Sequence, residues 1–494
     1  MKTGFDNDKY IKMQSEHILE KIRMFDNKLY LEFGGKLFDD LHASRVLPGF
    51  APDAKISLLR EIKDETEIIV IINAGDIERK KIRADYGITY DMDVLRIIDN
   101  LRSFDIYVSS IVITQYTGQH SAEVFKKKLE MRGERVYIHK KINGYPNDVD
   151  TIVSDRGYGA NEYIETTRPL VVITAPGPGS GKLATCLSQV YHEYTRGKKA
   201  GYAKFETFPI WNVPLKHPVN IAYEAATADL RDVNMIDPFH LDAYGITTVN
   251  YNRDIEAFPV VKTIISRITG NPDLYKSPTD MGVNMVGYCI TDDDAVKEAS
   301  KQEIIRRYYK ACCDYKNGIV DVDVVHRLES LMQELDISIS DRRVAEAALA
   351  REKEVGVPVT AIELPDGRIV TGRQSELMSA ASSAVLNSIK TLSGISDEIY
   401  LLSPVVLEPM QKMKRDVLKS RTERLSLEEV LMALSICAAT NSMVELAITK
   451  LNELSGCEAH STAMLSSSDE SMLRKLKLNF TSEPKFSDNS LYNM

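Results

Sequence analysis

What the sequence lacks excludes much before any motif is found. No apolar run approaches the ~20 residues of a membrane-spanning helix, and the opening, MKTGFDNDKY, has no signal-peptide core. The six cysteines, at 186, 289, 312, 313, 437 and 457, form no C-x-x-C pair. Buried free thiols in a reducing compartment are expected, and hence a cytoplasmic protein with no membrane partner. Positive charge is not in excess: the formal net charge is −9, which argues against a nucleic-acid partner. A zincin motif is missing too. His192-Glu193-Tyr194-Thr195-Arg196 starts like H-E-x-x-H but puts Arg196 where the second histidine must stand, so no metal site is expected there.

What is present describes a globular chain of several cores. At 494 residues, with 44% hydrophobic and 27% charged residues, it is too long for a single domain. Strands are expected at 67–72, 106–113, 135–139, 170–174, 202–205 and 246–250, with helices between them. Such alternation predicts an α/β fold: a doubly wound, mostly parallel, Rossmann-like sheet. In the common strand order its first and fourth strands meet where the order reverses. The expected domains are 1–280, an α/β phosphate- or nucleotide-binding domain; 281–356, a helical segment; and 357–494, a smaller C-terminal α/β domain. The helical segment is an expected oligomerisation surface, so a homo-oligomer is one expected assembly. Gly34-Gly35-Lys36 is read as a hairpin turn.

The strongest chemical signal is LVVITAPGPGSGKLATCLSQVYHEYTRG at 170–197: a buried strand, a P-loop-like glycine loop, then a helix. Glycines let backbone N–H groups approach an anion, and the free donors and dipole of the helix start favour it. Gly177, Gly179, Ser180 and Gly181 would supply those donors, Lys182 would neutralise phosphate, and Thr185 would reach a metal. The match to G-x-x-x-x-G-K-[ST] is partial, with Pro176 at the first glycine and Leu183 at the hydroxyl position. A tight turn that binds nothing is the competing reading.

Further polar residues gather at predicted strand ends, where open α/β sheets build their sites. Lys204 and Glu206 end the fifth strand, His217 closes the proline-rich FPIWNVPLKHP, and Asp237 and His240 stand in MIDPFHLDAYG. These five, with Lys182, are the candidate catalytic residues. Arg79, Lys80, Lys81 and Arg83, after the first strand, would face the glycine loop. Beyond 357 a hairpin, a helix at 375–392, a strand at 399–402 and further helices give a deaminase-like element order without the H-x-E and P-C-x-x-C ligands. The tail after Pro484 is expected to be loose.

The blocks FGGKLFDDLHASRVLPGF, APGPGSGKLATCLSQVYHEY, AGYAKFETFPIWNVPLKHPVNIAYEAATADL, MIDPFHLDAYG and YKSPTDMGVNM closely resemble an uncharacterised bacterial family, domain of unknown function 1846, over essentially the full length. The resemblance implies a large α/β domain, a helical segment and a C-terminal α/β domain, with no established activity. Some members carry an ATP-dependent peptidase label, which the glycine loop supports in part and the broken H-E-x-x-H does not. The expected function is an enzyme that binds a phosphorylated small molecule or a nucleotide such as ATP, with or without Mg. A non-catalytic phosphometabolite sensor and a structural oligomer are the alternatives.

Overall fold

A computed structural model describes residues 3–83, 86–420 and 422–487. The chain divides into two compact units, one of Lys2–Glu224 with Arg231–Ser300, the other of Ala225–Leu230 with the residues from Lys301 onward. The segment at 281–356 is thus shared between them, dividing after Ser300. No described helix is long and apolar enough to cross a membrane.

Besides a two-stranded pair of Ile82–Arg83 with Ile88–Thr89, the strands of the larger unit are β1 (Leu29–Phe33), β2 (Thr66–Asn73), β3 (Val108–Tyr116), β4 (Val136–Lys140), β5 (Leu170–Thr174) and β6 (Gly201–Phe205), then β7 (Asn234–Ile236), β8 (Val249–Tyr251) and β9 (Gly282–Val283). Seven of them form one sheet in the order β9-β6-β1-β5-β2-β3-β4. Every pairing in it is parallel. A parallel sheet covered on both faces calls for unbroken apolar runs, and TEIIVIIN and LVVIT are buried almost from end to end.

From β2 the chain steps outward through β3 to β4, by way of α1 (Tyr90–Ser103) and α2 (His120–Glu130). It then returns to lay β5 against β2, and α3 (Lys182–Thr195) leads the other way to β6. Crossovers of the usual right hand would put the helices of the two halves on opposite faces. The reversal falls between β2 and β5, the first and fourth of the expected strands, which pair from Thr66 with Leu170 to Val70 with Thr174.

Three expectations are corrected. Gly34-Gly35 makes no hairpin: it follows β1, which lies parallel between β5 and β6 with Leu29, Tyr30, Leu31 and Phe33 fully buried. The strand expected at 246–250 is β8, which pairs antiparallel with β7 in a separate two-stranded sheet, so it never joins the parallel one. The region 399–402 forms no strand.

In the second unit, β10 (Val359–Glu363) and β11 (Ile369–Arg373) form the expected hairpin, followed by α4 (Ala380–Ser393). The remaining strands are β12 (Glu458–Ser461) and β13 (Asn479–Ser482), giving a mixed sheet in the order β11-β10-β12-β13. Val385, Ile389, Val430, Leu434 and Leu473 fill its apolar core. Arg342 is buried against the sheet, donating to Glu458 at 2.6 Å, to Thr481 at 2.8 Å and to the carbonyls of Ala459 and Asn479 at 2.9 Å each. Burial alone would raise the Glu458 carboxyl, but Arg306 and Arg342 hold it below its ordinary range. The tail is tied at Lys485, whose carbonyl accepts from Met464 N at 2.8 Å; residues 488–494 lie outside the described ones.

Candidate functional site

The segment between β5 and α3 folds as its glycines require. Gly179 and Gly181 take φ of +74° and +88°, a region that residues with a Cβ avoid. At Gly177 a Cβ would come 2.3 Å from the Tyr90 hydroxyl. Gly181 is the N-cap of α3, and no side chain caps the helix start.

Four carbonyls of this loop are occupied. Gly177 O accepts from Ser180 Oγ at 2.6 Å, and Ser180 O accepts from Thr114 Oγ1 at 2.5 Å. Gly179 O accepts from Gln115 Nε2 at 3.2 Å and Asn73 Nδ2 at 3.3 Å. Gly181 O accepts the Thr185 amide and hydroxyl, both at 3.0 Å. The donors are in the opposite condition. Among the described residues, nothing accepts from the N–H groups of Gly177, Gly179, Ser180, Gly181, Lys182, Leu183 or Ala184. Donors from β2 and β3 pin the carbonyls and leave a row of amides at the positive end of a helix.

A cavity of about 410 Å³ opens over this row from Gly179 onward, with Gly177 outside its lining. Its lining includes Gly179, Ser180, Gly181, Lys182 and Thr185 from the loop and α3, Thr114 and Gln115 from β3, His139 and Lys140 from β4, and Glu32 from β1. It therefore sits at the carboxyl ends of parallel strands, beside the reversal of strand order. Lys182 makes no hydrogen bond or ion pair with any described residue. His139 is buried, which pulls its pKa down to about 4, and its Nε2 lies 3.0 Å from the Glu162 carbonyl. That partner makes Nε2 the donor of a neutral ring, with Nδ1 as the acceptor.

The other candidate residues do not line this cavity. Lys204 Nζ lies 2.5 Å from Asp254 and 2.9 Å from Glu206. Burial works against its charge, but Asp254, Glu206 and Glu32 prevail and push its pKa up. Burial lifts Glu206 to about 7 against the pull of Lys204. His217 Nε2 meets Asp293 at 2.9 Å, and its Nδ1 accepts from Val219 N at 3.2 Å, at the start of the helix Pro218–Ala226. Asp237 is a helix cap, accepting from the amides of Phe239 and His240 and from Thr279 Oγ1 at 2.6 Å. His240 Nδ1 lies 2.9 Å from Ser277 Oγ. Among the basic residues after β2, Arg79 and Lys81 pair with Asp76 and Arg83 with Asp93. Asn73, the last residue of β2, does reach the loop, donating to Gly179 O.

Sequence reasoning passed over Glu32, Gln115, His139, Lys140 and Lys141 as cavity residues. One signal was available: LYLEF places a carboxylate inside an otherwise apolar strand.

Fold and site together define an open parallel α/β protein with a glycine loop, its amides unpartnered, beside its strand-order reversal. The chain matches the family described as "Domain of unknown function DUF1846, N-terminal" over residues 3–336 and its C-terminal counterpart over 340–492, and it belongs to that family. It is 59% identical to a "UPF0371 protein" of Clostridium tetani and 58% identical to one of Clostridium botulinum, covering 100% of this chain and 99% of each relative.

Proposed function

We propose that the chain binds a phosphorylated small molecule or a nucleotide such as ATP, with or without Mg, at this P-loop-like loop and acts on it as an enzyme. The supporting observation is the row of amides without acceptors from Gly177 to Ala184, set beside Lys182, whose ammonium no described carboxylate neutralises. Oriented N–H groups at a helix start are an anion site that costs no rearrangement. The net charge of −9 also favours a small local anion over a nucleic acid.

A phosphometabolite sensor is the second reading. One fact favours it: of the six candidate catalytic residues, Lys182 alone lines the cavity, while His217, Asp237 and His240 serve as structural hydrogen-bond partners. The C-terminal hairpin and helix share the opening of a deaminase layout, but without that chemistry's ligand motifs we assign the unit no reaction.

Thermal shift of the purified chain with inorganic phosphate, pyrophosphate and a nucleotide panel tests both readings. Stabilisation abolished in Lys182→Ala supports the anion site, and turnover of a stabilising compound decides for the enzyme. An unchanged melting profile with every compound, in both proteins, leaves only an inert turn.

A further inference from the structure

The cavity has an acidic pole that phosphate alone does not explain. Glu32 stands fourth in β1, in register with Ile173 of β5 and Lys204 of β6. A strand bonded on both sides within a parallel sheet is apolar as a rule, and in LYLEF only Glu32 breaks the rule. Its carboxylate lines the same cavity as the glycine loop. Tyr202 donates its hydroxyl to Oε2 at 2.9 Å, while no hydrogen bond from a described residue reaches Oε1.

We infer that the ligand is a hydroxylated phosphate ester, a sugar phosphate or the ribose-phosphate part of a nucleotide, with its phosphate on the glycine loop and a hydroxyl donating to Glu32. The inference rests on the phosphate reading above and names its ligand class.

A bare anion at the loop would face the Glu32 carboxylate with repulsion and nothing in return. A ligand that carries an O–H beside its phosphate satisfies both poles. A carboxylate would also suit an ammonium, but Lys140, Lys141 and Lys182 line the cavity and Lys204 is the register neighbour of Glu32. Those cations disfavour a positively charged head group and leave a neutral donor as the better match. The volume, about 410 Å³, falls toward the small end of the roughly 300–1,000 Å³ range of ligand pockets, which suits a compact ester better than a dinucleotide.

Glu32 is then the specificity-determining residue, and Tyr202 is a positioning residue behind it. The test is calorimetric titration of the full chain with methyl phosphate, phosphoethanolamine, glycerol 3-phosphate, ribose 5-phosphate and glucose 6-phosphate. At least one hydroxylated ester is expected to bind about tenfold or more tighter than methyl phosphate, because a site built to receive an O–H discriminates against its absence. Glu32→Gln keeps the shape and an acceptor for Tyr202. It should shrink that ratio to about threefold or less, with methyl phosphate bound as well as by the wild type or better, since a repelling charge is gone. Retained methyl phosphate binding also shows that the variant is folded.

The failures separate. If no compound binds, methyl phosphate included, the phosphate reading falls and this inference falls with it. If methyl phosphate binds in a Lys182-dependent way but hydroxyls add nothing, or Glu32→Gln weakens every ester equally, the loop reading stands and the role of Glu32 is overturned. Tighter binding of phosphoethanolamine than of the hydroxylated esters overturns it as well.

Discussion

Thr114, at the end of β3, holds the Ser180 carbonyl at 2.5 Å, tying the glycine loop to a strand two places away in the sheet. The bond makes loop geometry depend on strand order: only with β5 beside β2, and β2 beside β3, do Asn73, Thr114 and Gln115 all reach the loop carbonyls. Thr114→Val removes this donor without changing the side chain's size and leaves a buried carbonyl without its hydroxyl. A loss of about 1–3 kcal/mol in stability is expected. Pyrophosphate binding should weaken by about tenfold as the amides lose their alignment. Denaturant melts and pyrophosphate titrations check this; wild-type values in both would show that Thr114 does not set the loop.

Asp237 tests the separation of structure from chemistry. Its carboxylate caps the helix Pro238–Tyr244 and accepts from the Thr279 hydroxyl, 42 residues further along the chain. Asp237→Ala should cost about 2 kcal/mol, the upper range for a lost cap, because a second buried bond goes with it. Ligand affinity at the glycine loop should stay within about twofold of wild type, as Asp237 does not line that cavity. A collapse of affinity or turnover with stability intact would return Asp237 to the catalytic list.

These two residues show how far the sequence could be read. Strands such as LVVIT and TEIIVIIN announce themselves because burial on both faces imposes an apolar run, and from their alternation with helices the reversal at β2 and β5 followed. β1 did not announce itself. Its partners begin at Leu170 and Gly201, so nothing nearby in the chain marks LYLEF as central, and the Gly-Gly after it resembles a turn. Missing β1 hid Glu32. Asp237 and His217 were chosen as chemical residue types, yet the same carboxylate and imidazole serve equally as caps, and only their partners tell the two uses apart.

In the C-terminal unit, stability hinges on one buried guanidinium. Arg342 donates to Glu458, Thr481 and two carbonyls of β12 and β13, and Arg306 donates to the other side of Glu458. Arg342→Met takes a donor from each of the two carbonyls and leaves Glu458 with a single cation. The expected cost is about 3–5 kcal/mol, as for other broken buried pairs. Amide exchange in Glu458–Ser461 and Asn479–Ser482 should accelerate, while the β5 strand of the larger unit keeps its protection. Unaltered exchange in both strands would mean that the apolar core around Val385 and Leu434 suffices.

The final prediction concerns pH and the pair Lys204 and Glu206. Glu206 ordinarily ionises near 4.5, and burial raises it to about 7 in the folded chain. Between those values the folded chain holds a proton that the unfolded chain has released, so stability from this group is complete below about 4.5 and is lost as pH rises toward 7. His139 works in the opposite sense. Its folded pKa of about 4 lies under the ordinary 6.5, so its contribution is full above 6.5 and is lost as pH falls toward 4. In the wild type the two slopes partly cancel across pH 4.5–6.5. Glu206→Gln removes only the first, while Lys204 keeps Asp254 as its partner at 2.5 Å and stays charged throughout. The variant should therefore gain stability with rising pH more steeply than the wild type. The difference between the two should change in the variant's favour by on the order of 1–3 kcal/mol between pH 4.5 and 7.5. Urea denaturation of both proteins at half-unit pH intervals measures it. Parallel stability curves would show that Glu206 titrates alike in the folded and unfolded chain, and that Lys204 neutralises it fully.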